Sequence, residues 1–333
     1  MSPGVIQMNF QGKIVRRMVW LGIVLPLLLC LWAGNLMQDR PDSNAPTGEE
    51  ETPSQDEMNE PHKIKLLIEE EVCIMDLEAY LVGVVLAEMP ASFEPAALRA
   101  QAVTARTYTL KRCREDLRHG QNTVCSNNAC CQAYIDPQDY IAAGGTHNSW
   151  QRVFQAVADT EGEVLMYSGA LIEATYFSCS GGSTEAAVEV WGQQVPYLQA
   201  VSSPGEEVCA YYVDRKSLTA EEFQAALGVR LKGEPDTWFG DTTLTQSGGV
   251  RTMEIGGVAY RGTTLRTLLG LRSTIFSVTC EDGLIIFETR GNGHRVGLSQ
   301  YGANAMAQRG YDYQQILSHY FIDTQLVQYS FLE

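Results

Sequence analysis

The sequence predicts an α+β fold: a single mixed domain carrying a substrate groove, preceded by one N-terminal transmembrane helix. Three observations lead there. Strand-like and helix-like stretches are interspersed without the regular alternation that builds a parallel sheet. Hydrophobic residues make up 45% and charged residues 19% of the 333 residues, enough to bury a sizeable core. One apolar run follows a basic cluster near the N-terminus.

That run extends from Met18 to Gly34, after Lys13, Arg16 and Arg17. At about 17 residues it sits at the short end of the spanning range. Bases before it and acids after it predict residues 1–17 in the cytoplasm, residues 18–37 as the anchor, and the rest of the chain outside. A cleaved signal peptide is the rival reading. The run is longer than a usual signal core, and Leu31-Trp32-Ala33 is a poor small-residue cleavage site. Residues 38–61 are rich in Glu, Asp, Pro, Ser and Asn and lack aromatics. Such a segment cannot bury enough apolar surface to order itself, so it reads as an acidic disordered linker. It leaves residues 62–333 as the folded domain.

Within that domain Ile64–Ile68 fits a strand, ending in the acidic run Glu69 to Glu71. Asp76 caps a helix through Leu77, Tyr80, Leu81, Val84 and Val85, which Pro90 stops. A second helix starts at Pro95, a favoured first-turn residue, and runs to about Arg114. Its apolar residues lie on all sides, which means a buried helix, yet it carries Gln101 and Arg106. A buried Arg demands a partner. Residues 115–150 look irregular. Val164–Tyr167 and Ala174–Ser178 read as short strands. Thr219 and Glu222 form a capping box for a helix to Leu227. Val250–Ile255 and Leu284–Thr289 look like strands, and Leu265–Leu269 like a short helix closed by Gly270. Helices near Gln300–Arg309 and Tyr313–Phe321 finish the chain.

The formal net charge is −16. Residues 1–61 hold eight of the 40 acids and four of the 24 bases, so the remainder still carries −12. An acidic body argues against nucleic acid as a partner. A sugar polymer, bound by shape, stacking and neutral hydrogen bonds, is compatible with it.

Four segments carry candidate chemistry. In Leu86-Ala87-Glu88-Met89-Pro90 a lone carboxylate stands among apolar neighbours at a helix end. Desolvation there favours a raised pKa, the property of an acid that must protonate a glycosidic oxygen; an exposed helix-end acid is the plainer reading. In Tyr176-Phe177-Ser178-Cys179-Ser180-Gly181-Gly182-Ser183-Thr184-Glu185 a strand runs into hydroxyls and paired glycines, either a ligand-contacting turn or a simple hairpin. Ser180 is not in a Gly-x-Ser-x-Gly elbow, so a serine hydrolase is unsupported. The loop Arg290 to Ala303 is Gly-rich and opens a helix, but matches neither a Walker A nor a dinucleotide motif. His294 in it is a ligand-binding or catalytic candidate, or a structural histidine. Finally, His119, Cys125, Cys130 and Cys131 place four N/S donors within thirteen positions, a plausible tetrahedral Zn²⁺ set. Disulfides are the competing reading for exported cysteines, although adjacent Cys130 and Cys131 seldom bridge each other. Cys179 with Cys209 is a weaker disulfide candidate.

These segments together resemble the stage II sporulation protein D family. The similar stretches are Leu86 to Tyr108, Ser178 to Trp191, Tyr197 to Glu206, Leu269 to Phe276 and Gly291 to Tyr320, in matching order and spacing. The resemblance implies a lytic transglycosylase that cuts peptidoglycan glycan strands during endospore engulfment, preferring strands stripped of stem peptides. It implies a single-pass protein of the mother-cell membrane, with its catalytic domain facing the space between mother cell and forespore. The implied partners are a sporulation cell-wall amidase and a multi-pass membrane protein. It makes Glu88 the catalytic acid, and His119, Cys125, Cys130 and Cys131 the positions of a zinc cluster beside the cleft. This chain departs from the family pattern at Cys130, where a His can serve, and at Arg295 and Asn292 in the glycine-histidine loop. If position 295 needs a positive φ, an arginine there costs energy.

On this reading one carboxylate suffices. The C6 hydroxyl of N-acetylmuramic acid attacks its own C1, while Glu88 first gives and then takes a proton. Arg106 and Gln101 are candidates to orient Glu88 or contact sugar. Tyr176, Ser178, Ser180, Gly181, Thr184, His294, Ser299 and Gln300 are candidates to line the groove. Zinc, if bound, is structural, because four protein ligands leave no open position. A non-catalytic wall-binding activator of an amidase is the alternative function, and a zinc peptide hydrolase a third.

Overall fold

The alternation of charged and apolar residues in Lys63–Ile68 makes a strand with one face inward, and Glu69 then turns the chain back with φ 56°. The strand Glu71–Asp76 pairs antiparallel to it, so the acidic run starts a second strand rather than a loop. This computed structural model describes residues 63–115 and 117–329. The anchor expected at 18–37 and the linker expected at 38–61 lie outside the described residues. Among the described residues, no helix is long and apolar enough to cross a membrane.

Helix α1 (Leu77–Glu88) begins as its sequence dictates. The Asp76 side chain accepts hydrogen bonds from Glu78 N at 2.9 Å and Ala79 N at 3.2 Å, satisfying two of the free N-terminal donors. It ends because Pro90 excludes the helical conformation from the residue before it, and Met89 is extended. Helix α2 (Pro95–Glu115) is the centre of the main core. Ala97, Ala100, Ala102, Val103 and Ala105 are fully buried, as the all-round apolar pattern requires. Small residues let α1, the later helices and a strand approach it from every side.

Residues 115–150, expected to be irregular, contain more structure. Thr123–Cys125 adds a strand parallel to Lys63–Ile68. Helix α3 (Pro137–Ala142) is capped by Asp136 with Pro137 in its first turn, and α4 (His147–Ala158) is capped by Thr146. Both start signals are present in the sequence, but the Cys-, Asn- and Gly-rich surroundings mask the apolar stripe of Val153, Ala156 and Val157. Of the strand expected over Ala174–Ser178, Tyr176–Phe177 alone pairs, and it pairs parallel to Leu298–Ser299, far along the chain. Glu163–Tyr167 forms the expected strand, joined antiparallel by Gln325–Gln328. A short helix α5 (Ala187–Trp191) follows the paired-glycine turn.

The segment from Val213 to Arg290 has its own hydrophobic cluster. The strands Val213–Thr219, Leu284–Arg290 and Ile275–Glu281 make one antiparallel sheet, and Phe239–Leu244, Val250–Ile255 and Val258–Arg261 another. Helix α6 (Ala220–Leu227) carries the expected capping box, and α7 (Gly262–Leu268) the expected short turn of helix. Phe223 stacks at 6.0 Å on Trp238 and at 6.1 Å on Phe287 between them. Helices α8 (Gln300–Gln308) and α9 (Tyr313–Tyr320) return to the main core, where Ile316, Leu317 and Tyr320 are buried. Helices and mostly antiparallel sheets are thus mixed through the chain, the α+β class expected.

Candidate active site

The end of α1 opens onto a groove with a volume of about 1010 Å³. Glu88 stands in its wall, the last residue of the helix, where the chain leaves for Pro90. Its Oε1 accepts a hydrogen bond from Ala133 N at 2.8 Å, and Tyr176 and Gln300 also bond to the carboxyl group. Burial outweighs these contacts and pushes the acid above the usual glutamate range. All three partners are neutral, so none holds the group ionised as a cation would.

Tyr176 donates from Oη to Gln132 Oε1 at 3.0 Å, and Gln132 Nε2 passes the chain to Thr109 Oγ1 at 2.8 Å. Burial raises the Tyr176 phenol well above its ordinary pKa. The tyrosine therefore stays protonated, with an oxygen left to accept from a protonated Glu88.

Of the residues expected in the groove, Tyr176, Ser178, His294 and Gln300 line it with Glu88. His294 is neutral: burial first, and then Arg266, push it down to about 4. Its Nε2 donates to Tyr176 O at 3.0 Å and its Nδ1 accepts from Val296 N at 3.2 Å. Both nitrogens are committed, so the ring forms wall, packed against Phe177 and Trp191 at 5.5 and 5.7 Å.

Ser180, Gly181, Thr184 and Ser299 lie behind the groove rather than in it. Ser180, Gly181 and Ser299 gather around Glu206, a fully buried carboxylate outside the four candidate segments. Glu206 accepts from Ser180 N at 2.6 Å, Ser180 Oγ at 2.8 Å, Gly181 N at 3.0 Å, Ser203 Oγ at 2.6 Å and Ser299 Oγ at 2.5 Å. Thr184 instead receives Val201 N on its Oγ1 at 2.8 Å. Gly302 allows this network to meet α8: a Cβ there would overlap Ser203 Oγ and Tyr320 Oη and stand 2.7 Å from Glu206 Oε1.

Gln101 and Arg106 are also placed away from Glu88. Arg106 is fully buried and forms a two-pronged pair with Glu78, Nε to Oε1 at 2.8 Å and Nη2 to Oε2 at 2.5 Å. It also donates to Val157 O and Glu163 O, pinning α1 and α2 to the segment after α4. Its partner is Glu78 because that side chain, at the start of α1, faces α2, whereas Glu88 at the other end turns to the groove. Gln101 is fully buried as well, with both side-chain polar atoms lacking a protein partner.

Arg295, whose position was in question, has φ 69°. Its guanidinium recovers the backbone cost by bonding Ser180 O and Ser183 O at 2.9 Å each and Ser247 O at 3.0 Å, and by lying 3.5 Å from Glu185. It fastens the paired-glycine turn to the second hydrophobic cluster.

The loop after Thr123–Cys125 borders the groove through Asn128, Ala129, Cys130 and Cys131. There the donor atoms of His119, Cys125, Cys130 and Cys131 all lie within 4.8 Å of one another, with His119 Nε2 3.2 Å from Cys130 Sγ. Tetrahedral zinc with N and S ligands at about 2.0–2.3 Å needs donors nearly that close. The set fits a Zn²⁺ ion, and its cysteines are free thiols, as are the buried Cys179 and Cys209. No local pattern pointed to Gln132 or Arg266, which the fold brings to the site; Trp191 and Glu206 each end one of the stretches on which the family resemblance rests.

The groove thus sets one shielded carboxyl group, Glu88, among neutral hydrogen-bonding groups, as an acid–base site requires. Comparison supplies the family. A family model described as stage II sporulation protein matches residues 69–167. Stage II sporulation protein D of Bacillus amyloliquefaciens is 37% identical over 249 residues, covering 74% of this chain and 72% of the relative. That of Bacillus subtilis (strain 168) is 37% identical over 256 residues, covering 75% and 74%. An amidase enhancer of Bacillus subtilis (strain 168) is 30% identical over 306 residues, covering 75% of this chain and 40% of its own length. The chain belongs to the stage II sporulation protein D family.

Proposed function

We propose that this protein is a peptidoglycan lytic transglycosylase that cleaves the N-acetylmuramic acid–N-acetylglucosamine β-1,4 bond and leaves 1,6-anhydro ends. One observation carries the reading: among the described residues, Glu88 is the groove carboxylate without a cation. The other acid in the groove wall, Glu173, is paired with Arg112. Hydrolases of glycosides ordinarily need two working carboxylates. A lyase of this kind needs one, because the attacking hydroxyl belongs to the substrate.

Glu88, kept protonated by its shielded position, donates to O4 of the departing N-acetylglucosamine as the C1–O4 bond breaks. The carboxylate so formed takes the proton of the C6 hydroxyl while O6 bonds to C1 of the same sugar. Acid and proton are restored within one turnover, and the attack is intramolecular. Ala133 N holds the non-reacting oxygen in both states. Tyr176 accepts a hydrogen bond from the acid form and can turn its own proton toward the carboxylate form. Gln300 fixes the remaining side of the group.

His119, Cys125, Cys130 and Cys131 would hold a structural zinc, which would stiffen the loop that carries Ala133. The acidic body and the N-terminal anchor expected from the sequence suit a wall enzyme on the outer face of the mother-cell membrane during engulfment, working with a cell-wall amidase and a multi-pass membrane protein. A second reading, activation of an amidase without chemistry, is favoured by the name of the amidase enhancer relative.

The test is product chemistry. Full-length protein incubated with peptide-free glycan should release 1,6-anhydromuramyl ends, and Glu88→Gln should release none while staying folded. Reducing ends would indicate hydrolysis instead. Absence of any cleavage, together with a rise in amidase activity on mixing, would establish the activator.

A further inference from the structure

The groove wall holds one guanidinium with no acid. Arg266, on α7, is half-buried and lines the cavity. Its Nε donates to Arg272 O at 3.2 Å, and its other nitrogens have no protein partner among the described residues. The other groove cations are committed: Arg112 pairs with Glu173 and lies over Tyr108, and Lys111 bonds Glu115 and Leu171 O. Nearby, Arg272 lies 3.6 Å from Asp214, Arg251 pairs with Glu189, and Arg295 stands by Glu185. In a chain with 40 acids and 24 bases, an arginine that meets none of them while losing solvent calls for an anion from outside.

The surroundings say what kind. Trp191, 44% exposed, packs beside His294 at 5.7 Å and offers a ring face to a sugar plane. Arg266 lies close enough to the same histidine for its charge to act on it, and the histidine bonds the carbonyl of Tyr176, whose side chain touches Glu88. Sugar platform, cation and acid thus line one groove. The muramic acid of a glycan strand bears a lactyl group. It ends in a carboxylate when the strand is free of peptide, and in a neutral amide when a stem peptide is attached.

Resting on the substrate proposed above, we propose that Arg266 binds the free lactyl carboxylate of a muramic acid residue, so that the groove itself selects peptide-free glycan. The guanidinium fork matches a carboxylate through two parallel hydrogen bonds and offers no comparable fit to an amide.

The experiment reads binding, not cleavage. Full-length protein carrying Glu88→Gln is sedimented with insoluble peptide-free glycan, and with the same glycan after its lactyl carboxylates have been converted to simple amides. Amidation is expected to weaken binding about ten-fold. The added change Arg266→Gln should bring both glycans to that weaker level, and Arg266→Lys should recover part of the preference. Equal binding of the two glycans by the Glu88→Gln protein overturns the inference, as does a full preference retained by Arg266→Gln. The comparison of glycans needs no change at Arg266, so it decides even if Arg266→Gln fails to fold. A wild type that releases no anhydro ends refutes the proposed reaction but leaves this measurement intact.

Discussion

Ala133 N donates to Glu88 Oε1 at 2.8 Å across 45 positions of sequence. One residue separates Ala133 from Cys131, a member of the His/Cys cluster, so the loop that can hold a metal also grips the candidate acid. The first prediction follows. Zinc should copurify at one equivalent per chain, and removing it with a chelator should lower the melting temperature. Cleavage should slow without a change of product, because the ion places Ala133 and takes no part in the chemistry. Cys131→Ser should behave like the stripped protein. Metal analysis beside thermal melts and product mapping checks this.

Burial raises the pKa of Glu88, which fixes the sign of its pH dependence. The folded protein holds this proton more tightly than the unfolded chain. The favourable contribution is therefore complete below the ordinary glutamate pKa and is lost as pH rises through the folded value. Glu88→Gln should melt higher than wild type near neutral pH, with the gap closing on acidification below the ordinary glutamate range. Cleavage by wild type should fall on the alkaline side of the same raised pKa, because the acid must start protonated. Melting curves and rates across pH 3–8 test both halves; a flat difference in melting would refute the shielding.

Arg106 carries its charge into the core against Glu78, whose side chain is 24% exposed. Arg106→Ala should cost about 3–5 kcal/mol, because it strands a carboxylate and empties the space of a large side chain. Glu78→Gln should cost less, since the amide keeps the contacts and water reaches its edge. Urea unfolding of the two variants gives the ranking; equal losses would mean that packing, and not the pair, dominates.

Glu206 gathers five donors from segments at Ser180, Ser203 and Ser299, two of which lead directly into groove residues Ser178 and Gln300. Glu206→Ala should destabilise by roughly 3 kcal/mol through unsatisfied buried donors. Gly302→Ala should be comparably harmful by overlap with Ser203 and Tyr320. Neither residue touches the groove. Surviving folded protein should therefore show weakened glycan binding with the product unchanged, which sedimentation and end-group mapping measure.

The sequence by itself determined the local elements and the candidate acid. Caps at Asp76 and Thr219, the stop at Pro90, the all-round burial of α2 and the place of Glu88 at a helix end all follow from neighbours in the chain. The donors His119, Cys125, Cys130 and Cys131 were legible because they lie within one short loop. Tertiary structure alone decided which polar residues meet. It sent Arg106 to Glu78, drew Ser180 and Ser299 onto Glu206, set Gln132 behind Tyr176, and brought Trp191 and Arg266 to the groove. Those choices depend on which face of each element turns inward and on pairings such as Tyr176–Phe177 with Leu298–Ser299, over a hundred residues apart. Spacing along the chain constrains contacts within a turn or a strand, but a buried charge takes whichever partner the packing brings to it.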